Sequence, residues 1–460
     1  MQSILQEYMS TLKGKRVAVI GIGVSNTPLI ERLLQSGVQV LACDKRDRSS
    51  FNGLIEALER KGLEACLGPG YLDRLDGVDL IFRTPGLRPD VPQIARAVAG
   101  GARLTSEMET FMELCPCQII AVTGSDGKTT TTTIIAGLLR EAGYQTHVGG
   151  NIGHPLLCEV DDIRPDDYVV LELSSFQLMT MRQSPSVAVV TNIAPNHLDV
   201  HRSMDEYVAA KRNIFAYQDD RDKLVLNADN EITASFAGQA RGQVTLFSRR
   251  RTLERGVSVR NGRIVANGRV VMDVSDIRLP GDHNLENYLA AIAAVDGLVS
   301  DETILKFARS FDGVPHRIEL VRERRGVRWY NDSIASSPSR TIAGLRSFRQ
   351  KVILIAGGYD KHIPYDVLGP EITEHVKALI LTGQTSDAIQ AATMAAPDYQ
   401  PGRPEIYRCG DLRQAVDQAE ALAQPGDVVL LSPASASFDQ FKNFEERGNT
   451  FKRYVMELQP

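Results

Sequence analysis

The chain has no run approaching the eighteen consecutive apolar residues that span a bilayer, and its first residues, MQSILQEYMSTLKGKRV, hold no apolar signal core. Membrane insertion and export are therefore not expected, and the protein reads as cytoplasmic. Long basic runs are also missing. Lys and Arg number 52 against 57 Asp and Glu, a net charge of −5, which argues against a nucleic-acid partner. The six cysteines, at 43, 66, 115, 117, 158 and 409, are scattered. Cys115-Pro116-Cys117 has neither a second pair nor a nearby histidine at metal-ligand spacing, so the thiols read as free. Internal repeats and low-complexity linkers are absent, and a monomer is expected. What is present is 460 residues, 43% hydrophobic and 24% charged, enough for about three globular domains with ample core.

The most informative stretch is 119–143, IIAVTGSDGKTTTTTIIAGLLREAG. An apolar strand runs into a glycine turn carrying a lysine, then into a helix opened by threonines. Gly124 and Gly127 let the backbone curl, with Ser125 and Asp126 between them, so that successive N–H groups face a polyphosphate. Lys128 supplies a cation for the outer phosphates, and the Thr129 hydroxyl, followed by Thr130, is placed to bind Mg²⁺. Ile134, Ile135, Leu138, Leu139 and Ala142 share one helix face, and Gly143 ends the helix, whose positive end meets the anion. The spacing, G-x-x-G-K-T, is two residues shorter than the common Walker A loop. An ATP site is expected here.

Around this loop the chain reads as α/β throughout. Residues 1–108 open with a buried strand ending in Gly21-x-Gly23, a helix carrying Leu29, Ile30, Leu33 and Leu34, and a second strand ending at Asp44. This is Rossmann-like, but Asn26 replaces the third glycine of the dinucleotide fingerprint and Lys45-Arg46 follow the acid, which favours another nucleotide over NAD. Residues 109–313 form a central P-loop ATPase-like domain with strands ending at Glu172 and Asn192. A small antiparallel sheet is appended over 243–280, where Asn261-Gly262 marks a hairpin. Residues 314–460, with strands at 327–331, 351–355, 378–382 and 427–431, form a second Rossmann-like domain.

Several groups near the strand ends can do chemistry. Glu172 closes an apolar strand beside the phosphate loop, where a carboxylate holding Mg²⁺ is needed. Ser203-Met-Asp-Glu206 is a capping box that starts a helix at Met204, and Lys211 falls in the middle of its apolar arc of Met204, Tyr207, Val208, Ile214 and Phe215. A lysine there snorkels, pairs or loses its charge, and snorkelling is the ordinary outcome. Burial would instead favour a neutral amine able to take up CO₂ as a carbamate. His197, in Pro195-Asn-His-Leu-Asp199, reads either as a structural imidazole or as a metal ligand. His283-Asn284-x-x-Asn287 lies just before an alanine-rich helix, as an adenine reader or a cap. Pro315-His316-Arg317, Asn331-Asp332-Ser333, Gly357-Gly358-Tyr-Asp-Lys361 and the stretch 432–448 all follow strands or a domain boundary, where open α/β sheets bind ligands.

The shortened loop, Glu172 in ELSSFQL, NHLDVH, HNLEN, PHR and NDS together resemble the Mur ligase family over essentially the whole chain. These are ATP-dependent amide ligases of peptidoglycan precursor synthesis, related to folylpolyglutamate synthetase. The tail LSPASASFDQFKNFEERG is similar to that of the branch that adds D-glutamate, and the Asp-Asn-Pro-Arg-type motif of the diaminoacid-adding branch is absent. The resemblance implies three substrates, UDP-N-acetylmuramoyl-L-alanine, D-glutamate and ATP, and an acyl-phosphate intermediate. It implies that Ser25, Asp44, Arg46 and Thr84 contact the UDP moiety, with Asn151 holding the precursor near its carboxylate. Lys128, Asn284, Asn287, Arg317 and Asp332 would hold ATP. Thr129 and Glu172 would serve one Mg²⁺, and His197 with a carbamylated Lys211 a second. Ser336, Lys361, Ser437 and Phe444 would meet D-glutamate. Asp126, Ile334 and Ser336 depart from the Asn, Lys and Thr common in the family. A folylpolyglutamate synthetase should lack the UDP-binding first domain, a GTPase should carry an Asn-Lys-x-Asp motif that is absent here, and a dehydrogenase should bind NAD.

Overall fold

The computed structural model describes residues 3–23, 25–195, 201–279, 281–360 and 363–459. They gather into two compact units, Met1–Ser310 and Phe311–Pro460. The first unit holds two sheets and the second one.

The first sheet is built from β1 (Arg16–Ile20), β2 (Gln39–Asp44), β3 (Glu64–Leu67), β4 (Leu80–Phe82) and β5 (Arg103–Thr105), in the order β3-β2-β1-β4-β5. All its pairings are parallel. The strand order reverses between β1 and β4, which opens a crevice at their carboxyl ends. Gly21 and Thr84 meet there, so closely that a Cβ on Gly21 would stand 2.9 Å from the Thr84 Cβ. Asn26 is buried and donates from Nδ2 to the carbonyls of Ile20 and Gly21, which accounts for an asparagine where a dinucleotide loop has glycine.

The second sheet contains β6 (Gln118–Thr123), β7 (Thr146–Gly150), β8 (Tyr168–Glu172), β9 (Val187–Val190), β10 (Lys223–Asn227), β11 (Gln243–Ser248), β12 (Val257–Arg260), β13 (Arg263–Ala266) and β14 (Arg269–Asp273). Its order is β14-β13-β12-β11-β10-β9-β6-β8-β7. β6, which leads into the phosphate loop, is parallel to both of its neighbours, β8 and β9. Ile119 to Val122 are buried, as expected of a parallel strand covered on both faces. The expected antiparallel element is present but is not a separate sheet. β11 is still a parallel strand of the main sheet, and β12, β13 and β14 extend that sheet at its edge through the Asn261-Gly262 hairpin.

In the second unit β15 (Glu319–Arg324), β16 (Val327–Asn331), β17 (Val352–Ala356), β18 (Val376–Leu381), β19 (Glu405–Arg408) and β20 (Val428–Leu431) are ordered β15-β16-β20-β17-β18-β19. Five strands are parallel and β15 is antiparallel to β16. The four expected strands are present. β15 and β19 are additions whose polar residues hid them. No helix among the described residues is long and apolar enough to cross a membrane.

Candidate active site

The loop between β6 and the helix Lys128–Glu141 is shaped by contacts that leave no room for side chains at its glycines. A Cβ on Gly124 would lie 1.9 Å from Thr191 Oγ1, and one on Gly127, where φ is +78°, would lie 2.3 Å from Asn287 Oδ1. Ser125 is buried and fastened through Oγ to the Ala194 backbone and the Tyr207 hydroxyl. Asp126 donates its N–H to Asn192 Oδ1, and its carbonyl accepts from Thr191 and Asn192, while its side chain stays exposed. Lys128 curls back, with Nζ 3.1 Å from the Gly124 carbonyl and 3.0 Å from that of Ser125. Thr129 and Thr130 occupy the first turn of the helix, and Thr130 is buried.

Glu172, at the end of β8, is 2% exposed. Its oxygens are held by neutral donors, the Thr129 hydroxyl at 2.7 Å and the Asn151 amide at 2.7 Å. The carboxylate charge is thus left for a cation to balance. The Thr129–Glu172 oxygen separation is close to that between adjacent ligands of an octahedral Mg²⁺, about 2.9 Å for metal–oxygen bonds near 2.05 Å. These residues fit a magnesium ion. Asn151, expected at the precursor, is thereby gathered to the same carboxylate.

The helix Met204–Arg212 begins as expected, with Ser203 Oγ accepting the Glu206 N–H. Glu206 does not complete the box. Its carboxylate accepts from the Arg202 N–H and from both terminal guanidinium nitrogens of Arg88. Lys211 does not snorkel. It is 1% exposed, lies over the Tyr207 ring, and donates to the Gly124 carbonyl at 2.7 Å and Thr123 Oγ1 at 3.3 Å. The snorkelling expectation fails because Thr123 and the Gly124 carbonyl, at the start of the phosphate loop, supply acceptors that hold the ammonium end inside. Burial, and then the neighbouring Lys128, push its pKa well below the ordinary lysine value. Two lysines therefore converge on the Gly124 carbonyl, an arrangement that favours a neutral amine at the buried one.

The HNLEN segment lies inside a helix, Asp282–Val295, not before it. Its N-cap is Gly281, so Asn284 is no cap. Asn287 is buried against Gly127 and accepts from Thr131 Oγ1 at 3.2 Å, which ties this helix to the loop. His197 lies outside the described residues.

At the crevice of the first sheet, Asp44 is buried and accepts from the Ile22 N–H and from Arg46, main chain and guanidinium. Burial opposes the charge on Asp44, but these hydrogen bonds together hold its pKa below the usual carboxylate value. Arg46 also reaches the Ile22 carbonyl and lies over the Phe51 ring. Ser25 is exposed just before the helix Asn26–Gln35, and Thr84 packs against Gly21. The loop carrying Thr84 is fastened to helical segments beside the second sheet by two arginines that sequence reasoning does not single out. Arg83 is buried and donates to the carbonyls of Thr84, Pro85, Leu87 and Phe176 and to the Thr180 hydroxyl. Burial lowers its pKa to about 10. Arg88 pairs with Glu206 on the helix that carries Lys211. A cation closing an apolar strand, as in Leu80-Ile-Phe-Arg83, was the available signal.

In the second unit Asp332 is buried, with Oδ2 accepting from the Ser432 hydroxyl and Oδ1 from the Ile318 N–H. Burial pushes its pKa up to about 7. Arg317 lies in the turn after Val314, its N–H bonded to the Val314 carbonyl. Ser336, half-buried, follows the Asn331-Asp332-Ser333 turn, and Ser437, buried, lies in the loop after β20. Phe444 opens the helix Phe444–Glu457 and meets the His316 ring edge-on. The buried Arg447, also not anticipated, donates to Ser333 Oγ and to the carbonyls of Ser333, Ser435 and Ala436, locking both loops together. Lys361 lies outside the described residues.

Comparison with known proteins agrees along the chain. Residues 15–106 match the model of the Mur ligase MurD-like N-terminal domain, 122–295 the Mur ligase middle domain, and 316–435 the Mur ligase glutamate ligase domain. A UDP-N-acetylmuramoylalanine--D-glutamate ligase of Acetivibrio thermocellus is 54% identical over 465 residues, covering all of both chains. One of the same name from Clostridium novyi is 48% identical over 458 residues, again covering both fully. Among solved structures, the UDP-N-acetylmuramate-alanine ligase of Thermotoga maritima shares the fold with a TM-score of 0.57 at 18% identity, covering 97% of this chain and 100% of that one. With a lysine-bearing phosphate loop against a buried glutamate, three matching domain models and full-length relatives near half identity, the chain belongs to the Mur ligase family.

Proposed function

We propose that the protein joins D-glutamate to the free carboxylate of UDP-N-acetylmuramoyl-L-alanine, cleaving ATP to ADP and phosphate. The observation that carries this reading is the full-length 54% identity to a ligase of that name, in a chain whose Lys128 loop abuts the buried Glu172. An amide does not form spontaneously from a carboxylate, so the acid must first be activated. A precursor carboxylate oxygen attacks the γ-phosphorus, the bond to ADP breaks, and an acyl phosphate forms. The amine of D-glutamate, once deprotonated, attacks the acyl carbon, and the tetrahedral adduct expels phosphate.

In this reading each residue takes the role that the family resemblance implies. The backbone of Gly124–Thr130 cradles the phosphates, and Lys128, released from the Gly124 and Ser125 carbonyls, pairs with the transferring group. Asn284 and Asn287 face the nucleotide from the helix behind the loop. Thr129 and Glu172 would hold one Mg²⁺, and His197 with Lys211 would hold a second, Lys211 first adding CO₂ through its neutral amine with loss of a proton. When bound, the ions neutralise charge on the phosphoryl oxygens. Ser25, Asp44, Arg46 and Thr84 hold the UDP end, with Asn151 near the carboxylate. Arg317 and Asp332 are assigned to ATP, and Ser336, Lys361, Ser437 and Phe444 to D-glutamate. We place the reaction in the cytoplasm, carried out by a monomer.

The test is ADP release with the UDP precursor while amino acids are scanned. Release that requires both the precursor and D-glutamate supports the reading. Release that another amino acid drives better, or that ignores the UDP precursor, rejects it.

A further inference from the structure

Cys115 and Cys117 flank Pro116 where the helix Glu107–Leu114 ends and β6 begins. Pro116 fixes its own φ and keeps the preceding Cys115 extended. In extended chain, residues two apart project to the same side. The two thiols accordingly face one another, with Sγ atoms 3.6 Å apart, near van der Waals contact, and both residues are only half-buried. No flexible linker has to close to bring them together.

The other thiols are differently placed. Cys43 is buried in β2, and burial pushes its thiol up to about 12. Burial likewise pushes Cys158 up to about 11. Cys115 moves the opposite way, because the Cys117 thiol donates a hydrogen bond to it and stabilises its thiolate, while Cys117 itself is pushed up. A nucleophilic thiolate with a second sulfur in contact is the arrangement that thiol–disulfide exchange requires.

We propose that Cys115 and Cys117 form a redox-convertible dithiol that closes to an intramolecular disulfide by exchange with low-molecular-weight disulfides. The Cys115 thiolate attacks one sulfur of R–S–S–R, that bond breaks, and RS⁻ leaves. Cys117 loses its proton and attacks Cys115 Sγ in the mixed disulfide, expelling the second RS⁻. The two cysteines are oxidised by two electrons in total, and the reagent is reduced to two RSH. The cross-link stiffens the joint where the chain passes from the first sheet to the central one, at the end of β6 remote from the phosphate loop.

The experiment equilibrates the full-length protein in glutathione buffers of increasing oxidised fraction. Free thiols are then trapped by acid and alkylation, and the tryptic peptide 104–128 is weighed. The expected result is a peptide that escapes alkylation, is lighter by two hydrogens, and reverts on adding thiol, while Cys66 and Cys409 stay alkylated. Cys115→Ser should lose the linked form and carry at most one glutathione, on Cys117. A wild-type peptide alkylated twice at the most oxidising ratio, or carrying two separate glutathiones, overturns the proposal. Because the wild-type measurement stands alone, poor folding of the variant does not blunt it.

Discussion

Gly127→Ala tests whether the phosphate loop's shape is held for a nucleotide. The φ of +78° puts this residue in the left-handed region, where alanine costs about 1–2 kcal/mol relative to glycine. The new Cβ would stand 2.3 Å from Asn287 Oδ1, so Asn287 must withdraw. It then gives up its 3.2 Å bond from Thr131, worth about 1 kcal/mol. The sum, about 2–3 kcal/mol, is divided between folding and binding. If the loop relaxes in the free protein, the nucleotide must restore it and affinity falls by about 30- to 150-fold. If the loop cannot relax, the same energy appears as lost stability. Titration calorimetry with a non-hydrolysable ATP analogue and Mg²⁺, alongside denaturant unfolding, measures both parts. Gly143→Ala is the control, since φ is also positive there but nothing lies within 4 Å of the added Cβ, and nucleotide affinity should not change. A Gly127→Ala protein that matches the wild type in both stability and nucleotide affinity would refute the reasoning.

Lys128→Ala should abolish turnover while leaving the fold intact by circular dichroism, and near-normal ADP release would remove this lysine from the phosphate site. Lys211→Ala should be nearly inactive and partly rescued by short carboxylic acids that stand in for a carbamate. Absence of rescue in a folded variant would count against the modified lysine. Glu107 is buried, accepts the Leu157 N–H, and is pushed up to about 7 by burial. Its folded pKa lies above the unfolded one, so the native state keeps a proton that the unfolded chain releases. Stability should therefore fall between pH 4.5 and about 7 by on the order of 2–3 kcal/mol. Glu107→Gln should make that fall shallower, leaving the part that Asp332, also pushed up to about 7, contributes, and an unchanged slope would assign the fall elsewhere.

The phosphate loop was legible because its glycines, lysine and threonine are consecutive, so local geometry alone brings them together. Glu172 and the start of the Met204–Arg212 helix were legible for the same reason, one closing an apolar run and the other opened by a serine cap. Lys211 was placed on the right helix face, but its fate depended on what packs there. Only the fold shows that Thr123 and Gly124, 88 and 87 residues earlier, supply its acceptors. Arg83 and Arg447 escaped notice because most of their acceptors are main-chain carbonyls, which carry no signature in a sequence. β15 was hidden by its charges, Glu319-Leu-Val-Arg-Glu-Arg324, which an edge strand tolerates but a buried strand does not. In sequence the HNLEN segment reads as lying before its helix because an Asn reads as a cap, whereas Gly281 takes that place in the fold.

The central claim is that the bend at 124–130 receives the tail of a triphosphate. A crystal structure with a non-hydrolysable ATP analogue and Mg²⁺ tests it most directly. The account predicts phosphate oxygens within hydrogen-bonding distance of the backbone N–H groups of this bend and of Lys128 Nζ, with a metal ion on Thr129 and Glu172. Nucleotide bound at another strand end, with Lys128 still folded onto the Gly124 carbonyl, would contradict it.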